Sequence, residues 1–260
     1  MEAKIWDTHA HLDDSQFDKD RLELCQEIGE KMAGVIDPGI DLHANGMAVA
    51  LAKKFPNIWA AVGWHPENLK GIPKDYLQRL GKWAQEPKVV AIGEIGLDYY
   101  WLENEPPSVQ KKILLEQLDL AKQLDLPFIF HDREAHGDTM KIFQNEIKGV
   151  RGVFHCYSGS LEMAKVLAKM GFYFGFGGTS TYKNSQKTRE VLCYLPKELI
   201  LLETDAPYLS PVPMRGKRNN PLYTEYTAQN AALVLGWERD EVAQITAENT
   251  LRLFNRIKVS

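Results

Sequence analysis

Short apolar runs recur along the chain, and each of them predicts a β-strand. Most are continuously apolar rather than alternating, which is typical of strands buried on both faces of a parallel sheet. There are eight such runs, at residues 5–7, 35–38, 58–63, 89–93, 128–131, 153–155, 173–177 and 199–204. The sequence therefore predicts eight buried strands.

The segments between these runs carry apolar residues with a period near 3.6, which predicts helices. They lie at residues 21–32, 47–55, 76–84, 109–124, 139–147, 161–170 and 187–195, and two more, at 222–235 and 238–257, follow the last strand. Successive strands begin about 28 residues apart, close to the length of one βα unit, and no linker interrupts the alternation. We expect an α/β protein with one domain over residues 1–260, a single (β/α)8 TIM barrel. A doubly wound open sheet is the alternative.

Polar residues mark the C-terminal ends of most predicted strands. They are His9, His11, His65, Glu94, His131, His155 and Asp205. In a barrel these ends share one rim, where side chains from several strands converge on an active site. A single histidine at a strand end is more often structural. Core positions, however, seldom hold so many His, Asp and Glu residues unless they are paired or bind metal, so we interpret the set as a metal centre.

The spacing of these residues predicts how they divide between cations. His9 and His11 are two apart, so in a strand they share a face and suit one ion. Glu94 has two carboxylate oxygens and could bridge two cations. His131 and His155 would then complete a second site.

Two acidic residues at the end of the last predicted strand are assigned to catalysis. Asp205 could bind the first cation and also accept a proton from a metal-activated water. Glu203 lies on the same face of the strand, and we expect it to orient ligands or the water. His43 and His136, near helix starts, are expected to be exposed and not to take part.

Composition and charge narrow the function. Apolar residues make up 44% of the chain and charged residues 25%, which is typical of soluble globular proteins. The net charge is −4, with 31 Lys and Arg against 35 Asp and Glu, which counts against a basic surface that coats nucleic acid, although a local basic patch remains open. Three cysteines indicate a reducing compartment, and no signal or membrane-spanning segment is evident. We expect a cytoplasmic protein with no membrane contact.

At these residues the sequence resembles the TatD family of metal-dependent deoxyribonucleases, within the amidohydrolase-like barrels. The matching segments are residues 7–12, 63–66, 93–99, 131–133, 155–159 and 202–208. The resemblance implies two cations, one bound by His9, His11, Glu94 and Asp205 and the other by Glu94, His131 and His155. It also implies that DNA phosphodiesters are the substrate and that His65 and Arg133 contact the scissile phosphate. A structural ion pair is the alternative for Arg133.

Two further groups are candidates for contact with DNA. Lys217 and Arg218, after the last predicted strand, could hold flanking phosphates, or they could belong to a solvated basic loop. Tyr99, Tyr100 and Trp101 follow Glu94 on the same rim and could stack on bases of a single strand or a frayed end. Packing between helix and barrel is the plainer account of these aromatic residues.

The sequence thus predicts a metal-dependent deoxyribonuclease that cleaves phosphodiester bonds through a metal-activated water, and the resemblance suggests an exonuclease. Four imidazoles favour Zn, Mn, Co or Fe over Mg. Single-stranded DNA or DNA ends are the expected partner, and no obligate protein partner is evident. Two alternatives remain: a hydrolase of a small-molecule amide, lactone or phosphate ester, and a barrel that only binds nucleic acid or a partner, with structural metals.

Overall fold

The strands form one parallel sheet in which each strand pairs with the next along the chain. The computed structural model describes residues 3–101 and 103–258. Its strands are β1 (Trp6–Asp7), β2 (Gly34–Pro38), β3 (Ile58–Val62), β4 (Val89–Asp98), β5 (Phe128–Arg133), β6 (Gly152–Phe154), β7 (Tyr173–Phe176) and β8 (Ile200–Leu202). This confirms the predicted (β/α)8 barrel.

Backbone contacts between the first and last strands close the sheet. The chain remains extended beyond β1, and the amide of Thr8 donates to the carbonyl of Leu202 at 3.0 Å. The amide of His11 donates to the carbonyl of Ala206 at 2.8 Å, next to a parallel bridge between Ala10 and Ala206. The open doubly wound sheet is therefore excluded.

Helices alternate with the strands on the outside of the barrel. They are α1 (Arg21–Lys31), α2 (Leu42–Lys54), α3 (Tyr76–Trp83), α4 (Pro107–Gln123), α5 (His136–Lys141), α6 (Leu161–Lys169), α7 (Gln186–Tyr194), α8 (Thr224–Leu235) and α9 (Arg239–Leu253). Helix α2 begins five residues before the predicted start because Asp41 caps it, its side chain accepting from the amide of Ala44 at 2.8 Å. In the described part of the chain no helix is long and apolar enough to cross a membrane.

The barrel interior is filled by side chains, and the end of the chain covers its N-terminal side. Ile36, Val90 and Leu201 belong to an interior cluster that also contains Leu253 and Phe254, at the end of α9. The side chain of Arg256 donates to the carbonyl of Val89, where β4 begins, at 3.1 Å. The C-terminal ends of the strands are left open to the cleft described below.

Strand β4 is twice as long as predicted, and it contains an irregularity at the rim. Its pairing with β5 moves from Ile92 opposite Phe128 to Ile95 opposite Phe130, so β4 carries one extra residue there. Glu94 lies in this stretch, and its amide donates to the carbonyl of Gly39 at 3.0 Å. An extra residue of this kind turns a side chain to a new direction.

Candidate metal centre

His9, His11, Asp205 and one oxygen of Glu94 form a first ligand cluster at the open end of the barrel. The Nε2 atoms of His9 and His11 are 3.2 Å apart. Glu94 Oε2 lies 3.3 Å from the first and 3.5 Å from the second, and Asp205 Oδ1 lies 3.7 and 3.5 Å from them. A tetrahedral ion with bonds of 2.0–2.1 Å holds its ligands roughly 3.3 Å apart, so the cluster fits a divalent cation.

The other oxygen of Glu94 belongs to a second ligand cluster, with His131 and His155. Glu94 Oε1 lies 3.0 Å from His131 Nδ1 and 2.9 Å from His155 Nε2, and those two nitrogens are 3.4 Å apart. His65 Nε2 is 3.4 Å from the same oxygen. The structure thus brings all six predicted ligands together, with each oxygen of Glu94 facing one cluster. Imidazole and carboxylate donors at these spacings fit divalent metal cations.

Both carboxylates are held in the charged form that binds cations. Burial alone would raise the pKa of Glu94, but the histidines around it, His155 above all, hold that pKa well below its usual range. Burial also acts to raise the pKa of Asp205, and it is outweighed by a hydrogen bond from His11, which keeps that pKa low. Neither carboxylate has to lose a proton before it binds a cation at neutral pH.

Asp98, at the end of β4, supports the second cluster and was not predicted to do so. It is fully buried, and its Oδ2 lies 3.0 Å from Nε2 of His131, on the opposite side of the ring from Glu94. A carboxylate behind a ligand histidine fixes the ring orientation and its tautomer. The sequence signal that could have identified Asp98 is its position four residues after Glu94, beyond the end of the predicted strand.

Glu203, for which the sequence predicts a supporting role, lies beside His155. Its Oε1 accepts from the amide of Cys156 and lies 3.6 Å from Nδ1 of His155. Its Oε2 lies where a Cβ on Gly175 would be, since that atom would come within 2.1 Å. A glycine at this position of β7 is therefore what allows the carboxylate to reach His155.

Asp7 joins the ends of β1 and β8 beneath the first cluster. Its Oδ1 accepts from the amides of His9 at 3.1 Å and Thr204 at 3.0 Å, and its Oδ2 accepts from the hydroxyl of Thr204. Burial raises the pKa of Asp7 well above its usual value. These hydrogen bonds hold the backbone at His9 next to the backbone at Thr204, the residue before Asp205, where the first and last strands meet.

The centre opens into a cleft of about 800 Å³. The cleft is lined by five of the six ligands, by His65, and by further acidic residues together with Arg133. The acidic residues are Asp13, Asp14, Glu67, Asp132 and Glu134. Metals bound in the centre would therefore supply most of the positive charge that an anionic substrate meets.

His65 presents a hydrogen-bond donor to this cleft. Its Nδ1 accepts from the amide of Glu67 at 3.2 Å, so the neutral ring carries its hydrogen on Nε2, which faces Glu94. Burial lowers the pKa of His65 to about 4, which keeps the ring neutral at pH 7.

Arg133 lines the cleft and stacks on aromatic residues instead of forming an ion pair. Its Cζ lies 4.0 Å from the ring centre of Tyr100 and 5.3 Å from that of Trp101. Among the described residues, no carboxylate lies within ion-pair distance of its guanidinium. Tyr99 packs against the core, and its hydroxyl donates to Asp138 at 3.1 Å, as the packing account predicts. Tyr100 and Trp101, by contrast, are 49% and 41% exposed.

The structure does not bring Lys217 and Arg218 to the cleft lining. Arg218 forms a double hydrogen bond with the carboxylate of Asp20, lies 4.5 Å above the ring of Phe17, and donates to the carbonyl of Gln16. Lys217 is exposed beside it. The predicted phosphate contacts of these two residues stay predictions.

His136 is less isolated than its position at a helix start suggests. Its Nδ1 lies 3.0 Å from Oδ2 of Asp132, and its side chain, with those of Cys156 and Ser158, lines the cleft. The carboxylate of Asp132 at this distance raises the pKa of His136. His43 is exposed on α2, as expected.

Comparison with known proteins finds relatives that match nearly the whole chain. A sequence model of the family described as "TatD related DNase" matches residues 6–255. The chain is 40% identical to YabD of Bacillus subtilis, an uncharacterized metal-dependent hydrolase, over 96% of this chain and 98% of that protein. The crystal structure of YjjV, a TatD homologue from Escherichia coli, superposes with a TM-score of 0.89 at 34% identity, covering 98% of this chain and 99% of that one.

One relative carries a more specific name. It is the "3'-5' ssDNA/RNA exonuclease TatD" of Salmonella typhimurium, which is 30% identical over 96% of this chain and 98% of that protein.

Proposed function

Because the chain belongs to the TatD family of metal-dependent hydrolases, we propose that it hydrolyses phosphodiester bonds of single-stranded DNA. The observation that carries this proposal is the position of Glu94, whose two oxygens each face a separate ligand cluster. Cations held by the two clusters would suit the hydrolysis of phosphodiesters, because they would stabilise the negative charge on both the attacking and the leaving oxygen. The exonuclease name of the Salmonella relative supports single strands as substrate and digestion from an end.

Each residue at the centre has a role that follows from its contacts. His9, His11, Glu94 and Asp205 would hold one cation, and Glu94, His131 and His155 the other. When bound, the cations lower the pKa of water and offset charge on the phosphoryl oxygens.

The remaining roles fall to groups that face the cleft. The Asp205 carboxylate, ionised at neutral pH, accepts the proton of the attacking water. His65 donates from Nε2 to a phosphoryl oxygen, and Arg133 offers guanidinium hydrogens to the same phosphate. Glu203 holds His155 and the turn at Cys156 in place.

The acidic lining of the cleft favours a second candidate, a hydrolase of a small uncharged ester, lactone or amide. Five carboxylates besides the ligands line the cleft, against one described arginine and no described lysine. Such a lining repels a long polyanion more than a small neutral molecule. The same centre would activate water for attack on a carbonyl.

The first experiment is digestion of end-labelled single-stranded DNA by the purified protein, with metal, with chelator, and with metal restored. We expect shortening that requires metal and that falls by more than about 100-fold in Glu94→Gln, because the bridge between the two sites is lost. His43→Gln is the matched control, since His43 is exposed on α2, and it should digest like the wild type. Hydrolysis that persists with chelator or in Glu94→Gln contradicts the proposal.

The same protein preparations test the second candidate, a hydrolase of small molecules. They are incubated with a panel of aryl esters, lactones and phosphate triesters. If the protein hydrolyses a member of the panel in a metal-dependent way and leaves DNA uncut, the second candidate replaces the first.

We further propose that the protein works in a reducing compartment such as the cytoplasm. All three of its cysteines, Cys25, Cys156 and Cys193, are free thiols. This is typical of proteins kept from oxidising conditions.

A further inference from the structure

We propose that Trp101, supported by Tyr100, is a stacking site for an unpaired nucleobase next to the scissile phosphate. This inference rests on the proposed function and names the residue that would select single-stranded substrates. Trp101 lines the same cleft as the ligand clusters, and 41% of its surface remains exposed. An exposed indole at the edge of a catalytic cleft offers a flat apolar face that water covers poorly.

The two aromatic side chains pack against each other and against Arg133 although both are exposed. The rings of Tyr100 and Trp101 meet edge to face, with centres 4.8 Å apart, and Arg133 covers the ring of Tyr100. Of the two rings, that of Trp101 is the one that lines the cleft. Stacking on a fixed ring costs little side-chain entropy, so it yields more binding energy than stacking on a mobile one.

Asp98 ties this pair to the metal centre. Its Oδ1 accepts from the amides of Tyr100 at 3.0 Å and Trp101 at 3.3 Å, while its Oδ2 holds His131. One buried carboxylate therefore orients both the ring of His131, a proposed metal ligand, and the backbone of the aromatic pair. A base on Trp101 is thereby placed at a constant position relative to the phosphate.

An unpaired nucleotide is the occupant that fits this arrangement. Every base has a π-face, so stacking is tolerant of sequence, but a paired base has both faces covered by its neighbours in the duplex. Arg133 lies against both aromatic rings and lines the cleft, and among the described residues its guanidinium makes no hydrogen bond, which leaves its donors for a phosphate attached to that base.

The test compares esters that share one leaving group and differ in the base. The substrates are the 3' and 5' p-nitrophenyl phosphates of thymidine and, without a base, methyl p-nitrophenyl phosphate. They are given to the metal-loaded wild type, Trp101→Ala and Trp101→Phe. Tyr194→Ala is the matched control, because Tyr194 is an equally exposed aromatic residue on α7 outside the cleft lining.

We expect Trp101→Ala to raise KM about 5- to 100-fold for at least one thymidine ester and for single-stranded DNA, at little change in kcat. The base-free ester should be hydrolysed as by the wild type, and Trp101→Phe should recover most of the loss. An equal loss on all three esters, or no loss on any, overturns the proposal. If the wild type turns over the esters but leaves DNA intact, the proposed function fails, and the ester comparison still decides whether Trp101 binds a base.

Discussion

At the scale of single residues, Asp98 shows how one buried carboxylate can serve two neighbours. Its oxygens are divided between the His131 ring and the amides of Tyr100 and Trp101. Asparagine at this position can keep the oxygen that accepts from the amides, but it places an NH2 group where the carboxylate faces His131. The two roles can therefore be separated by substitution.

We expect Asp98→Asn to lower metal affinity about 10- to 100-fold, because the ligand imidazole loses the acceptor that orients it. Metal titration followed by calorimetry measures this directly. KM for DNA at saturating metal should change less than in Trp101→Ala. Unchanged metal affinity in Asp98→Asn would show that packing alone orients His131.

The meeting of the proposed ligand residues at one site could be predicted because each is a polar residue ending an apolar run. His9, His11 and Glu94 have no packing reason to stand there, and the barrel rule places strand ends on one rim. The role of Asp98 was not predicted because the sequence predicts that β4 ends at residue 93, whereas its pairing with β5 continues to Asp98. The ion pair of Arg218 was not predicted because it joins residues nearly two hundred positions apart.

At the scale of elements, the loop after β8 is attached to the start of α1 by Arg218 and Asp20. The hydrogen bond from Arg218 lowers the pKa of Asp20. A carboxyl whose folded pKa is lowered stabilises the fold above its unfolded pKa, about 3.9, and this contribution is lost as the pH falls through the folded value. The pair is partly exposed, so its contribution is small.

We expect Arg218→Gln to reduce the free energy of unfolding by less than about 1 kcal/mol at pH 7, and this difference to shrink as the pH falls below about 4. Urea unfolding at both pH values checks it. KM for DNA should stay that of the wild type. Lys217→Gln is the paired control: a raised KM in either variant would establish the phosphate contact predicted for that residue.

At the scale of the whole molecule, the sequence predicts the barrel well, because strand count, spacing and burial all follow from local patterns. The cleft is different. Its acidic lining and the stacking of Arg133 depend on which loops meet above the rim, and loop conformation has no comparable periodic signal. Substrate choice is therefore the property that the sequence determines least directly.

Removal of metal should destabilise the whole barrel, because the ligands come from both ends of the chain and from its middle. At metal concentrations about 1,000-fold above Kd, binding adds about 4 kcal/mol to the free energy of unfolding. We expect a chelator to lower Tm in differential scanning calorimetry. The Tm of Glu94→Gln should respond much less to metal, and equal Tm values of the wild type with metal and with chelator would contradict a centre built into the fold.

Closure of the barrel between residues 8 and 202 has a consequence for how the protein is made. A ribosome releases the chain from its N-terminus, and contacts between distant residues form last. His9 and His11 emerge early, but Asp205 joins them only when the final strand has been synthesised. A nascent or prematurely terminated chain thus lacks the complete first cluster, and hydrolytic activity arises only in a nearly finished molecule.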